Sequence, residues 1–174
     1  LNQTLLRWFD HWLKDLDNGI MDEPPVTVFT LGENRWQQLA DWPPPAMRPV
    51  RWFLHSDGSA NSLHGDGALS TVPPTDEPDD RFDYDPADPV PTLGGANLII
   101  DMGVRDQRPV EERRDVLVFT SDPMDRPLEI TGPVSVELWA ASSAVDTDFT
   151  AKLVDVHLDG IAHGPDRWIA RAHV

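Results

Sequence analysis

Val26-Thr27-Val28-Phe29-Thr30-Leu31 is the stretch that decides the fold class. β-branched and aromatic side chains fill it, and from Val26 onward apolar residues recur with the period of two that is typical of strands. Gly32-Glu33-Asn34 follows as a turn, and Arg35–Leu39 can pair back on the first strand. The stretch therefore predicts a β-hairpin in a β-rich chain.

The segment before this hairpin has a different periodicity. In residues 1–17 the apolar side chains recur at spacings of three and four, which predicts an amphipathic helix. These apolar residues are Leu5, Phe9, Trp12, Leu13 and Leu16. Asn18-Gly19 is expected to end the helix in a left-handed conformation, and residues 21–25 then form a linker.

Short strand signals continue toward the C-terminus, separated by a long stretch, residues 56–97, that is mostly irregular. The predicted strands are residues 50–55, 98–102, 115–120, 134–140 and 149–158. One helix followed by six or seven strands favours a mainly β fold, and a jelly-roll β-sandwich of the galactose-binding-like kind fits it best. Because a jelly roll has eight strands, we expect the sandwich to be incomplete at its C-terminus.

Composition restricts the partners and the location of the protein. The net charge is -16 at a sequence pI of about 4.4, so the surface repels phosphate backbones and anionic lipids, and we expect neither nucleic-acid nor membrane binding. The absence of cysteine excludes disulfides and cysteine nucleophiles. No signal peptide is visible at Leu1, and a cytoplasmic location is favoured while the location stays open. The chain does not begin with Met and reads as an excised segment.

The sequence carries no recognisable catalytic motif. A serine hydrolase of the α/β type needs Gly-x-Ser-x-Gly, and the nearest approach, Asp57-Gly58-Ser59-Ala60-Asn61, lacks the second glycine and reads as a turn. The histidines near the end, His157, His163 and His173, do not have the spacing of a zinc site. We therefore predict no catalytic residue, no metal and no cofactor within these residues.

Two other ligand classes stay open at this point. Asp146-Thr147-Asp148 and the acidic region 76–88 could offer oxygens to calcium, although neither matches an EF-hand loop. We expect Asp146 and Asp148 instead to accept backbone N–H bonds at a strand junction. The tryptophans Trp36, Trp42 and Trp52 suggest either a sugar-stacking face or buried core and interface residues.

Several stretches together carry a family resemblance. They are Arg7-Trp8-Phe9-Asp10-His11-Trp12-Leu13-Lys14 with Asn18-Gly19, Glu33-Asn34-Arg35-Trp36, Asp41-Trp42-Pro43, residues 84–95, Gln107-Arg108-Pro109, Arg114-Asp115-Val116-Leu117, Ile130-Thr131-Gly132-Pro133, and residues 142–160. Over nearly the whole chain the sequence resembles the CocE/NonD hydrolases. These are cocaine-esterase-like enzymes, α-amino-acid ester hydrolases and Xaa-Pro dipeptidyl-peptidases.

The resemblance implies a domain arrangement. In this family an α/β-hydrolase domain carries a Ser-His-Asp triad, a helical cap covers it, and a C-terminal jelly roll packs against both. Residues 1–20 then correspond to the last helix of the hydrolase domain, and residues 21–174 to the jelly roll. The triad lies outside the chain, so the segment alone is expected to be inactive. Its partners are the hydrolase and cap domains and a small ester or peptide substrate, and homo-oligomerisation is left open.

Two hypotheses about function follow. In the first, the chain is the C-terminal domain of a serine acyl-hydrolase, where it stabilises the enzyme and walls its active site. In the second, it is an autonomous β-sandwich module that binds carbohydrate or another ligand. Under the first hypothesis, the loop of residues 84–95 and the apolar segment after it reach the active site, and Leu98 and Ile99 are substrate-binding wall residues. The alternative for Leu98, Ile99 and Ile100 is a place in the sandwich core.

Overall fold

The computed structural model describes residues 2–99, 102–156 and 169–173. These residues divide into two compact units. One unit contains Leu1–Pro49 and Glu129–Ser135, and the other contains Val50–Leu128 and Val136–Val174.

The first unit begins with helix α1, Asn2–Lys14, as the apolar spacing predicts. The expected stop at Asn18-Gly19 is wrong, because the helix ends at Lys14 and Asp15 takes the left-handed conformation, with φ 52°. The backbone N–H of Leu16 turns back onto the Asp10 carbonyl at 3.2 Å and so closes the last turn. Gly19, with φ 71°, instead precedes a 3-10 turn at Ile20–Asp22 inside the predicted linker.

The predicted hairpin is confirmed within this unit. Strands β1, Val26–Thr30, and β2, Arg35–Leu39, pair antiparallel with Phe29 opposite Trp36. The two rings meet edge to face with 5.1 Å between their centroids. Gly32 and Asn34 have the positive φ values that the tight connection requires.

The second unit is a five-stranded sheet with one short helix. The strands are β3, Phe53–His55, β4, Ala68–Ser70, β5, Val118–Ser121, β6, Lys152–Val156, and β7, Ile169–His173. Their order across the sheet is β3-β4-β5-β7-β6. All neighbours pair antiparallel except β4 and β5, which are parallel. Helix α2, Arg108–Glu111, begins with Pro109 in its first turn, where proline is tolerated.

Strand β5 lies in the middle of this sheet and is buried on both faces. Because side chains alternate along a strand, Phe119 joins one apolar cluster and Val118 joins another. The first cluster contains Ala60, Leu69 and Phe119, with Trp52, Leu54 and Leu117 packed against it. The second contains Val110, Val116 and Val118, with Leu63 and Leu93 packed against it.

Several predicted elements differ from the structure. Residues 134–140 form no strand, and Val134 and Trp139 are 61% and 91% exposed, because no neighbouring segment pairs with them among the described residues. Residues 98 and 99 lie in a bend, and the rest of the predicted strand 98–102 includes two residues outside the described part. Strands β4 and β7 and helix α2 were not predicted from the sequence. The prediction of a β-rich chain with one N-terminal helix is confirmed. Among the described helices, none is long and apolar enough to cross a membrane.

Gly67 is where the close packing of β5 can be tested. A Cβ at this position would overlap the Val118 carbonyl oxygen, and Gly67 itself accepts a hydrogen bond from the Thr120 N–H at 3.1 Å. We expect Gly67→Ala to lower the free energy of unfolding by about 3 kcal/mol, the upper range for overpacking. In the control Gly19→Ala the new Cβ meets nothing within 4 Å, so only the left-handed φ costs energy, about 1 kcal/mol. Urea unfolding of both variants measures the difference, and equal losses would contradict the steric explanation.

Candidate functional site

Several highly exposed apolar side chains of the second unit belong to a loop that is closed at its base. Gly95 and Gly103 exchange two backbone hydrogen bonds, at 2.8 and 3.0 Å. Gly94 adopts φ 66°, and a Cβ there would overlap the Gly103 carbonyl oxygen, so only glycine fits this crossing point. We call residues 93–107 the apolar loop.

Side chains fix the apolar loop to the sheet. The Gln107 amide donates to the Leu93 carbonyl at 3.1 Å and to the Arg105 carbonyl at 3.0 Å, which joins the two arms of the loop. Leu93 packs on the cluster of Val110, Val116 and Val118. The base of the loop is therefore held by the core.

The far end of the apolar loop is unburied. Leu98 and Ile99, the predicted wall residues, are 94% and 98% exposed, and Val104 is 85% exposed. Neither Leu98 nor Ile99 lies in a core of the described chain, whereas Ile100 lies outside the described residues. An anchored loop that presents bare apolar side chains is suited to contact another surface.

Helix α1 carries a second exposed apolar surface, in the first unit. None of its residues is buried, and Leu5, Phe9, Trp12 and Leu13 are 46%, 51%, 54% and 75% exposed. These residues follow the spacing that places them on one face. We expect this face to pack on a hydrolase domain or on the sandwich, and within the described chain its side chains are about half exposed or more.

The polar residues of the second unit mainly hold its loops. An open depression is lined by Asn61, Arg81, Arg113, Arg114 and Asp115, among others. Asn61 donates from its amide to the carbonyls of Arg81 and Arg114, both at 2.9 Å. Asn61 thus joins two segments that are remote in sequence.

Arg113 neutralises the most buried acid of this depression. Its guanidinium donates to both Asp115 oxygens, at 2.8 and 2.6 Å, and to Asp88 at 3.2 Å. The hydrogen bond from Arg113 lowers the pKa of Asp115, and the same pairing raises the pKa of Arg113. The depression therefore contributes an ion pair, and the ring of His64, which also lines it, pairs with Glu112 at 2.9 Å.

Ser70, His55 and Glu77 lie in the order of a catalytic triad, but their hydrogen bonds do not suit that chemistry. Ser70 Oγ lies 3.1 Å from His55 Nε2, and His55 Nδ1 lies 2.7 Å from Glu77 Oε1. In a triad, Nε2 must accept the serine proton. Here the Val72 carbonyl lies 2.9 Å from Nε2 and requires an N–H there, which leaves no lone pair on Nε2 to accept the serine proton. Ser70 is therefore not activated.

The sequence analysis did not identify this His55 cluster. His55 and Glu77 lie 22 positions apart, and only the return of an irregular segment onto β3 brings them together. The acidic run 76–80, considered above for calcium, is partly used in the same way. Asp80 accepts from Ser56 Oγ at 2.7 Å and from the Ala60 N–H at 2.8 Å.

The other residues considered for chemistry lie apart. Ser59 lies beside a bend at Asp57–Gly58, and Asp66 accepts from the N–H groups of Asp57 and Ser59, so the predicted turn is confirmed. Asp146 and Asp148 are exposed, and the expected backbone hydrogen bonds to them are not found. Among the described residues, no three acidic, His or Cys side chains are grouped to hold a metal. His157 and His163 lie outside the described residues, as does the side chain of His173.

Comparison with known proteins identifies the family. Residues 18–174 match the family described as the X-Pro dipeptidyl-peptidase C-terminal non-catalytic domain. The chain belongs to this family.

Individual relatives agree with this assignment. The chain is 45% identical over 157 residues to a cocaine esterase of Rhodococcus sp. (strain MB1 Bresler), which is 89% of this chain and 27% of the relative. A Mycobacterium bovis protein named "Putative serine esterase Mb1866c" is 35% identical over 154 residues, 87% of this chain and 23% of the relative. A Bacillus cereus protein named "Putative Xaa-Pro dipeptidyl-peptidase" is 43% identical over 72 residues, 35% of this chain and 12% of its own length. The resemblance to the CocE/NonD hydrolases is confirmed, and the chain spans about a quarter of the first two relatives.

The Arg113–Asp115 pair predicts a pH-dependent stability. A carboxylate with a lowered pKa stabilises the fold above the pKa it has in the unfolded chain, and this contribution is lost as the pH falls through its folded pKa. We therefore expect Asp115→Asn to destabilise the protein at about pH 7 and the difference from the wild type to shrink at about pH 3.

Asp106→Asn is the matched control for this prediction. Asp106 and Arg108 form the same bidentate pair at the same sequence separation, but both side chains are more than half exposed. The hydrogen bond from Arg108 lowers the pKa of Asp106 too, but exposed pairs contribute little, so this variant should lose less stability at about pH 7 than Asp115→Asn. A pH-independent loss in Asp115→Asn would show that the carboxylate charge is not responsible.

Proposed function

We propose that this chain is the C-terminal domain of a serine acyl-hydrolase of the esterase or Xaa-Pro dipeptidyl-peptidase type. In this role it stabilises the enzyme, helps to wall the active site and supplies no catalytic group. The match of residues 18–174 to a non-catalytic C-terminal domain carries the proposal. The esterase and peptidase names of the relatives supply the reaction class.

The domain division is part of the proposal. Residues 1–20 are assigned to the end of an α/β-hydrolase domain and residues 21–174 to a jelly roll. Two observations support the division. The family match begins at residue 18, after helix α1, and the apolar side chains of α1 are about half exposed or more. A hydrolase domain would cover these side chains.

The reaction proposed for the whole enzyme is acyl transfer to water. A serine of the hydrolase domain attacks the ester or amide carbonyl, a histidine moves the proton, and water releases the acid. The contribution of this chain is to position and enclose a small ester or peptide substrate. An apolar wall beside the reacting carbonyl excludes water and selects the acyl group by size.

The apolar loop is the part of the chain assigned to the wall. Its base is fixed by Gln107 and the Gly95–Gly103 pair, so Leu98 and Ile99 can be presented in a defined position. Their exposure of 94% and 98% means that a substrate or a neighbouring domain can contact them without unfolding anything. Preorganised apolar groups of this kind favour binding because little entropy is lost.

The alternative, a carbohydrate-binding module, has one supporting observation. Trp36 is 68% exposed and stacks edge to face with Phe29 on the β1–β2 hairpin, and exposed aromatic rings can stack on sugars. Screening the purified chain on a glycan panel decides between the two functions. Binding that disappears in Trp36→Ala would favour the module.

The first prediction from the proposed function concerns helix α1 in the full-length enzyme. Leu13 is 75% exposed in this chain, so Leu13→Ala should leave the stability of the isolated chain nearly unchanged. If the hydrolase domain covers the helix, the same change should cost about 2–5 kcal/mol in the full-length enzyme. Gln3→Ala, on the polar face, is the control for helix propensity. Equal, small effects in both proteins would argue against the domain division.

The second prediction concerns the wall residues. In the full-length enzyme, Leu98→Ala and Ile99→Ala should change kcat/KM for bulky acyl esters about 10-fold or more relative to small ones, the effect of lost apolar contacts of 1–3 kcal/mol. The melting temperature should stay the same. Val104→Ala removes an equally bare apolar side chain from the same loop and is the matched control. If kcat/KM instead decreased by the same factor for small and bulky esters, the wall assignment would have to be dropped.

The third prediction is that the isolated chain is inactive. The sequence contains no nucleophile elbow, and the Val72 carbonyl, 2.9 Å from the His55 Nε2, competes with Ser70 Oγ for that nitrogen. The purified chain should not hydrolyse p-nitrophenyl acetate above background. Turnover that a serine-directed phosphonate abolishes, and that Ser70→Ala also abolishes, would overturn both this prediction and the structural interpretation of the His55 cluster.

A further inference from the structure

The His55 cluster joins an irregular segment to the edge of the five-stranded sheet. His55 is the last residue of β3, and its side chain is 18% exposed. Its Nδ1 lies 2.7 Å from Glu77 Oε1, and its Nε2 lies 2.9 Å from the Val72 carbonyl and 3.1 Å from Ser70 Oγ. The ring thus bridges the two ends of the segment 72–77.

Both ring nitrogens face hydrogen-bond acceptors. A carbonyl and a carboxylate cannot donate, whereas Ser70 Oγ, which accepts from the Val72 N–H at 3.1 Å, still has its own O–H to donate. Only the doubly protonated imidazolium donates at both nitrogens. In one neutral tautomer the Nε2 lone pair faces the Val72 carbonyl, and in the other the Nδ1 lone pair faces the Glu77 carboxylate. Either neutral form loses one of the two attachments.

We propose that His55 is a pH-sensitive latch that holds the segment 72–77 on β3 when the imidazole is protonated and loosens it when the proton leaves. The proton leaves to solvent, and no other bond forms or breaks. Histidine is suited to this role because imidazole ordinarily changes charge between about pH 5 and about pH 8.

The charged groups around His55 determine the pH range in which the latch is closed. Glu77 is the one carboxylate paired with the ring among the described residues, and β3 and β4 carry no further charged side chain. The hydrogen bond with His55, aided by the Ser56 N–H at 3.3 Å, lowers the pKa of Glu77. The carboxylate therefore stays charged on the acid side, and the latch opens there only as the pH falls through this lowered pKa. It opens on the alkaline side as imidazole loses its proton.

A neighbouring attachment keeps the opening local. Asp80 is held by Ser56 Oγ and the Ala60 N–H, and neither of these donors changes charge near neutral pH. The chain beyond the segment 72–77 therefore stays fixed when His55 is neutral. Asp76 and Asp79 are the remaining acids close in sequence, and both are exposed.

The experiment is a pH titration of the intact protein, labelled with 15N at histidine, serine and valine. The backbone N–H of Ser56 reports the Glu77 contact, and that of Val72 reports the other end of the segment. From about pH 5 to about pH 8, both amide signals should shift together with the 15N signals of the His55 ring. The proposal is overturned if the ring changes charge while these two amides do not respond.

Variants separate the latch from general effects of pH. In His55→Gln the pH-dependent shifts of the Ser56 and Val72 amides should be lost, because an amide side chain does not titrate. His64→Gln is the matched control, because His64 pairs with Glu112 at 2.9 Å but is 74% exposed and has no second acceptor on its ring. The shifts should persist in this control. Shifts that survive in His55→Gln, or vanish in His64→Gln, would overturn the proposal, and the wild-type titration decides the matter if His55→Gln does not fold.

Discussion

The second unit depends on the burial of strand β5 on both of its faces. Val118 and Phe119 enter two different apolar clusters, so a strand of four residues connects both halves of the core. Backbone N–H groups of β5 also bond to the segment that precedes β4. The Val118 N–H donates to the Ala60 carbonyl at 2.8 Å, and the Thr120 N–H donates to the Gly67 carbonyl at 3.1 Å. The neighbouring segment can approach so closely only because Ala60 and Gly67 have little or no side chain.

The acidity of the chain has a structural use in its irregular segments. Backbone N–H groups outside helices and strands still need acceptors. Carboxylates provide them, as Asp66 does for Asp57 and Ser59, Asp80 for Ala60, and Asp85 for Ala87. Part of the net charge of -16 is thus explained by turn and loop stabilisation, without a bound cation. The same use of carboxylates produces the His55 cluster, where a histidine takes the place of the backbone donor.

The apolar side chains that stay exposed are distributed on particular elements. Helix α1 and the apolar loop each present several of them, whereas β5 presents none. The chain spans about a quarter of the length of the cocaine esterase and the mycobacterial relative. The proposed function assigns these surfaces to contacts with a hydrolase domain, which explains their composition without requiring a separate ligand.

The sequence by itself determined the elements whose partners are close along the chain. The β1–β2 hairpin follows from alternating residues and a glycine turn, and α1 follows from its apolar spacing, because both form hydrogen bonds over a few residues. The absence of a nucleophile motif and the family resemblance could also be read directly from residue types. The position of Leu98 and Ile99 was left open by the sequence, because consecutive apolar residues fit a buried strand as well as an exposed wall.

Tertiary structure alone decided the pairings between remote segments. The parallel pairing of β4 with β5 and the contact of His55 with Glu77 join residues that no local pattern relates. The alternation in residues 134–140 predicts a strand, yet the described structure has none there, because periodicity defines an apolar face and does not supply a neighbouring strand to bond with. A strand exists only where another segment satisfies its backbone groups, and which segment does so depends on the folding of the whole chain.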